Sequence, residues 1–257
     1  MKFLTSLVLV SLFILASCQN SSQKEQSTTT QSSNLYAEAI VESPSSSNPN
    51  LYVTAGSGLS LRQGTNLKSK KILTIPYGSQ IEHLSSPEHT TMTVAGITGD
   101  MIEAEYQGAK GFVFSGYLSS LAPPLEEENV EQYAKRLSTP ERVIPVTKTK
   151  DPKGDAFGLT TSIELPAKSW GEAYLLGQSL FDIPKSIAVD LTNSSKATLS
   201  NPKKRTKTKI DEVVISRDDK NQVNSITYSY ALRDYGRTVT ITQSGANYLI
   251  TESEVSM

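Results

Sequence analysis

The stretch from Leu51 to Leu121 most constrains the fold, because its apolar residues come in short runs that glycines and prolines interrupt every few positions. Leu51-Tyr52-Val53-Thr54-Ala55 is a β-rich run stopped by Gly56-Ser57-Gly58. Leu59, Leu61, Ile72 and Ile75 alternate with polar neighbours, as strands with one buried face do. Pro76-Tyr77-Gly78-Ser79 is a turn signal leading into Gln80-Ile81-Glu82-His83-Leu84. Met101 to Tyr106 alternates again, Gln107-Gly108 turns the chain, and Gly111-Phe112-Val113-Phe114 reads as a further strand. Strands so short and closely spaced predict a compact barrel, since closure removes exposed edges.

Three pieces of this stretch resemble, in order, the start, central turn and finish of the bacterial SH3 (SH3b) family of envelope and secreted proteins. They are Gly58-Leu59-Ser60-Leu61-Arg62-Gln63-Gly64, Ile75-Pro76-Tyr77-Gly78, and Gly111-Phe112-Val113 with Tyr117-Leu118. Phe112 stands where the family usually has tryptophan, and Thr65 where it usually has proline after the glycine. The insert from Ser85 to Asp100 is longer and less regular than the family pattern. The resemblance implies a small all-β SH3-like barrel over residues 51–122 and a binding role, in cell-wall association or as a targeting accessory. The residues themselves offer Arg62, Tyr77, Tyr106 and Tyr117 as ligand contacts, because aromatic faces and a guanidinium give rigid contact area to sugars or peptides. The competing reading makes these tyrosines half-buried wall, with only the hydroxyl at the surface.

Residues 1–17 carry the pattern of an export signal: Lys2, an apolar run from Phe3 to Leu15, then Ala16 and Ser17. The run is shorter than the roughly 20 apolar residues of a membrane-spanning helix. Leu15-Ala16-Ser17-Cys18 resembles the lipobox of bacterial lipoproteins, which implies cleavage before Cys18 and acylation of its thiol. Cys18 is the single cysteine, so the chain has no intramolecular disulfide. Residues 18–50 are rich in Ser, Thr, Gln and Asn and read as a disordered tether. Within it Leu35 to Val41 is less polar and could dock as a strand or short helix.

Residues 123–257 read as an α+β domain, an antiparallel sheet packed on one or two helices, with no recognised family. Leu125 to Leu137 places its acids first and its bases last, and sets Val130, Tyr133, Ala134 and Leu137 on one face. Pro140 to Leu165 reads as irregular, with Val143-Ile144 and Phe157-Gly158-Leu159 as short strands. Ser169 caps a second, apolar helix ended by Pro184, with Glu172 at the capping-box spacing. Five strands are expected after it, over Ile187–Leu191, Ile210–Ser216, Val223–Leu232, Arg237–Thr242 and Asn247–Thr251. Between the first two lie Lys203, Lys204, Arg205, Lys207 and Lys209, a basic run suited to an anionic polymer or lipid headgroups. A solvated hairpin loop is the plainer explanation of that run.

The formal net charge of −1 gives no overall footprint for nucleic acid. No nucleophile elbow or phosphate loop is present, and the one cysteine belongs to lipidation. His83 and His89, the only histidines, lack a recognised metal-ligand spacing. The sequence therefore predicts a noncatalytic lipoprotein of a bacterial cell envelope, without metal or cofactor. Its acylated Cys18 sits in a lipid bilayer, and it binds cell-wall peptidoglycan or an envelope component. The alternative is an interaction subunit that docks a protein partner through residues 123–257.

Overall fold

The computed structural model describes residues 50–153, 156–192 and 197–256; the export signal, Cys18 and the Leu35–Val41 patch lie outside them. Mostly β, the fold arranges two seven-stranded antiparallel sheets and two α-helices in one unit spanning residues 46–257.

The first sheet is built from β1 (Asn50–Val53), β2 (Leu59–Arg62), β3 (Lys71–Ile75), β4 (Gln80–Ser85), β7 (Met101–Tyr106), β8 (Ala109–Phe114) and β9 (Leu118–Ser119). A separate hairpin, β5 (Met92–Val94) and β6 (Ile97–Gly99), occupies the insert that the sequence presents as irregular. Its turn residues Ala95 and Gly96 both have positive φ, as a tight two-residue hairpin turn requires. The sheet order is β3-β2-β8-β7-β4-β1-β9. Alternation worked as expected: Leu59, Leu61, Ile75, Ile81 and Val113 point into one buried cluster with Val53, Met101 and Leu118. Ile72 is the exception and is exposed.

Closure is where the sequence expectation needs correcting. No ladder joins the end strands β3 and β9 among the described residues, so the sheet does not form a closed barrel. The physical reason lies in the edges. At one edge β9 has only two residues; at the other, β3 with β2 joins the rest of the sheet through the single pair Arg62–Phe112. Even that approach depends on Gly111, where a Cβ would lie 2.5 Å from the Arg62 carbonyl oxygen.

The second half begins with α1 (Val130–Leu137), whose predicted apolar face, Val130, Tyr133, Ala134 and Leu137, is fully buried. Asn129 caps it: its side chain accepts from the Gln132 backbone N–H, and the Gln132 side chain accepts from the Asn129 N–H. β10 (Val146–Lys153) and β11 (Ala156–Leu165) then form a long hairpin where the sequence reads as irregular. α2 follows (Trp170–Leu180), and its Trp170 packs edge-on against Tyr248 with ring centroids 5.0 Å apart. The remaining strands are β12 (Thr198–Ser200), β13 (Ile210–Arg217), β14 (Val223–Ala231), β15 (Tyr235–Ser244) and β16 (Asn247–Ser256), giving the order β10-β11-β16-β15-β14-β13-β12. Four of the five expected strands are thus present in β13 to β16. Ile187–Leu191 is not one: it is a loop that pairs with no strand among the described residues. Leu176, Ile163, Ile215, Ile241 and Ile250 form the centre of the core under α2.

Burial sets the alkaline limit of this fold. Desolvation pushes the hydroxyls of Tyr133, Tyr174 and Tyr228 well above their ordinary range, and Tyr235, which also donates to Glu254, is pushed up to about 12. An unfolded chain ionises its tyrosines near pH 10. The raised folded values therefore contribute stability that is present below about pH 10 and lost as pH rises through them. Unfolding monitored by circular dichroism should coincide with the last part of the rise in tyrosinate absorbance, the part that comes from the buried tyrosines. Tyrosinate forming fully while the fold persists would contradict this.

Candidate functional site

The candidate site is a cleft of about 520 Å³ between the two sheets. One wall comes from the β1–β2 turn, where Gly56-Ser57-Gly58 exposes backbone, and from the β5–β6 hairpin. The other comes from α2 and the loop after it, through Leu175, Gln178, Lys185, Ile187 and Val189. That loop takes the place of the strand expected at Ile187–Leu191, and its Leu191 N–H donates to the Gly96 carbonyl across the junction (3.0 Å). The walls are mainly apolar, and the charged residues lining them are Arg62 and Lys185, both cationic.

The structure brings two of the four sequence-predicted contacts to this cleft. Arg62 ends β2, and its Nη1 donates to the Ser69 carbonyl (2.9 Å), which leaves the rest of its guanidinium fork available. Tyr117 packs edge-on against Phe114, and its hydroxyl donates to the Val94 carbonyl (3.3 Å); burial raises its pKa. Tyr77 lines an adjoining cavity of about 450 Å³. Its hydroxyl donates to the Pro124 carbonyl (2.9 Å), and burial raises its pKa most strongly, against a smaller lowering effect of the Ser179 side chain. Tyr106 is held apart, its hydroxyl 3.4 Å from Ser79 Oγ.

Lys185 is the residue that sequence reasoning missed. Its Nζ lies 6.0 Å from the Tyr77 ring centroid and rests on Gly56, where a Cβ would approach it to 2.7 Å. Lys185 and Gln178 line both cavities and form the partition between them. Glu126, Glu127 and Asp182 line the far cavity, as does Glu128, which is held by Arg136. The guanidinium of Arg136 keeps the Glu128 carboxyl below the usual range, its hydrogen bond being the largest cause. The only hint in sequence was the apolar Ile187-Ala188-Val189 run just after Pro184 and Lys185.

A third cavity, of about 400 Å³, lies beside the start of α1 and the strands β15 and β16. Arg237 Nε donates to Glu252 (2.6 Å), yet burial outweighs that cation and raises the Glu252 pKa. Its charges are largely spent on one another, with Lys148 paired to Glu131 and the Tyr235 hydroxyl to Glu254.

The basic run forms an exposed loop between β12 and β13. Lys203, Lys204, Arg205, Lys207 and Lys209 make no ion pair among the described residues; Lys204 Nζ donates to the Lys209 carbonyl. A buried network fixes the base of the loop. Asn201 Nδ2 donates to Asp211 (2.7 Å), Tyr228 donates to the same carboxyl (3.2 Å), and Ser186 donates to Asn201 Oδ1 (2.7 Å). The charges are therefore presented on a defined loop.

No family model matches the chain, and no curated protein or solved structure does either. The SH3b resemblance accordingly rests on its three sequence pieces alone. Among the described residues no group of three or more His, Cys, Asp and Glu side chains could hold a metal ion. His83 pairs with Ser86 Oγ (3.0 Å), and His89 is exposed beside Glu88. Among the same residues no helix is long and apolar enough to cross a membrane.

Proposed function

We propose that the protein is a noncatalytic binding protein of a bacterial cell envelope, tied to a membrane through acylated Cys18. It holds cell-wall material or an envelope component in the cleft between its sheets. The observation that carries this reading is the cleft itself: an apolar hollow with Arg62 and Lys185 at its edges, of a size that suits small ligands or peptide ends. The first sheet is read as a diverged SH3-like unit, supported by the three sequence pieces, whose Leu59, Leu61, Val113 and Leu118 share one core. The export signal, the lipobox and the polar tether are sequence features that fit such an address. The basic loop adds an electrostatic contact with anionic wall or membrane material. Docking of a protein partner by the second sheet is the rival reading.

Sedimentation with purified peptidoglycan at low and moderate salt tests it. Ala188 lines the cleft and is exposed, so Ala188→Trp should block the site without disturbing the core. Binding that survives moderate salt should disappear in this variant. Replacing Lys203, Lys204 and Arg205 together by Gln should remove only the salt-sensitive part, since screening at moderate salt already weakens exposed charges. Binding lost wholly with salt, and unaffected by Ala188→Trp, would sink the cleft reading.

A further inference from the structure

Resting on that reading, we infer that the cleft captures the carboxylate end of an apolar peptide, with Lys185 and Arg62 as the anion-binding pair. Both charged side chains lining the cleft are cations, and neither makes an ion pair among the described residues. Lys185 makes no hydrogen bond there either; its ammonium lies on Gly56 at the border of the two cavities, with the Tyr77 ring on its other side. Guanidinium and ammonium groups bind carboxylates through short charge-assisted hydrogen bonds, strengthened where apolar walls exclude water.

The polar groups of the cleft favour a peptide over an acyl chain. Between the apolar walls the cleft presents Ser57, Ser60 and Gln178 side chains and the exposed backbone of Gly56 and Ser57. An alkyl chain would desolvate these polar groups without pairing them, whereas peptide amides satisfy them. Beyond the Lys185–Gln178 partition the neighbouring cavity is lined by Glu126, Glu127 and Asp182, which repel any further negative charge. A single terminal carboxylate fits this pattern and a polyanion does not. Gly56 also has a role here, since a side chain at that position would displace the Lys185 ammonium.

The test is calorimetric titration of the full chain in detergent with three probes: acetyl-Ala-Val-Leu with a free C-terminal carboxylate, the same peptide as its C-terminal amide, and dodecanoate. The free acid should bind at least about tenfold tighter than the amide, the worth of one charge-assisted contact. Lys185→Gln, a change at an exposed residue, should erase that preference while leaving the thermal midpoint unchanged. Arg62→Gln should weaken the acid too, and its thermal midpoint reports any loss of the Ser69 contact. Equal binding of acid and amide, or tighter binding of dodecanoate, overturns the inference. So does an acid preference that survives in both variants. If peptidoglycan sedimentation still depends on the cleft in those cases, envelope binding stands and only the carboxylate assignment falls.

Discussion

Glu172→Ala is expected to lower the unfolding free energy by about 3 kcal/mol, because it strips a buried polar junction of its carboxylate. Glu172 is 5% exposed although it sits in the first turn of α2. Its Oε1 accepts from the Ser119 hydroxyl (2.5 Å) in β9, and its Oε2 accepts from the Lys168 N–H (2.6 Å). Ser119 Oγ in turn accepts from the Leu121 N–H (2.8 Å). One carboxyl group therefore joins the edge of the first sheet to the helix that covers the second. Alanine would leave the Ser119 hydroxyl buried without an acceptor and would remove an acid from a helix N-terminus. Glu172→Gln keeps one acceptor and turns its amide donors on the other partner, so about half the loss is expected. Urea unfolding measures both. A change within about 0.5 kcal/mol, the range of an ordinary surface substitution, would mean that the junction contributes nothing.

The second large effect is expected at Gly96. Its φ is +77°, and a Cβ there would lie 2.3 Å from Asp190 Cα and 2.4 Å from the Val189 carbonyl oxygen. Both are backbone atoms, so no rotamer change can relieve the clash. Gly96→Ala must push the 189–191 loop off the β5–β6 hairpin and break the Leu191–Gly96 hydrogen bond. Backbone strain and overpacking together predict a loss of about 3 kcal/mol or more. Val94, Ala95 and Val189 line the cleft, so its shape should be lost along with the stability. Gly78 supplies the control. It has nearly the same φ, +76°, with nothing within 4 Å of an added Cβ. Gly78→Ala should cost only the left-handed backbone term, about 1–2 kcal/mol. Thermal unfolding of the two variants side by side decides the matter, and equal losses would show that the hairpin is not tightly docked.

Local signals in the sequence carried local structure well. The spacing of Val130, Tyr133, Ala134 and Leu137 found the buried face of α1, and Ser169 does cap α2, its Oγ accepting from the Glu172 N–H (3.1 Å). The capping-box spacing was only half informative, since the Glu172 side chain turns to Lys168 and Ser119 instead of the cap residue. The hairpin β10–β11 was illegible for a physical reason. β10 lies at the sheet edge and exposes Thr147, Lys148, Thr149 and Lys150, so it needs no apolar alternation and gains protection from its lysines. Ile187–Leu191 misled in the opposite direction. Ile187 and Val189 are buried and Ala188 is exposed, which is a strand-like alternation without a ladder partner. Alternation records which side chains are buried, not which backbones pair.

The site was legible only in pieces. Arg62 and Tyr117 could be named because they lie on a stretch whose strands and turns are visible in sequence. Lys185 could not, because its position beside Gly56 depends on contacts between residues more than a hundred apart in the chain. No periodicity encodes such a meeting of two sheets. Gly96 packs on Asp190, another contact distant in sequence that no periodicity encodes.

The most direct test of the account is amide-resolved NMR of residues 46–257, the unit that holds both sheets, titrated with soluble fragments of digested peptidoglycan. The account predicts shift changes concentrated at Ala55–Ser60, at Val94–Ile97 and at Lys185–Val189, the three segments that meet at the cleft. Changes confined to the Lys203–Lys209 loop, or spread over the second sheet alone, would contradict it.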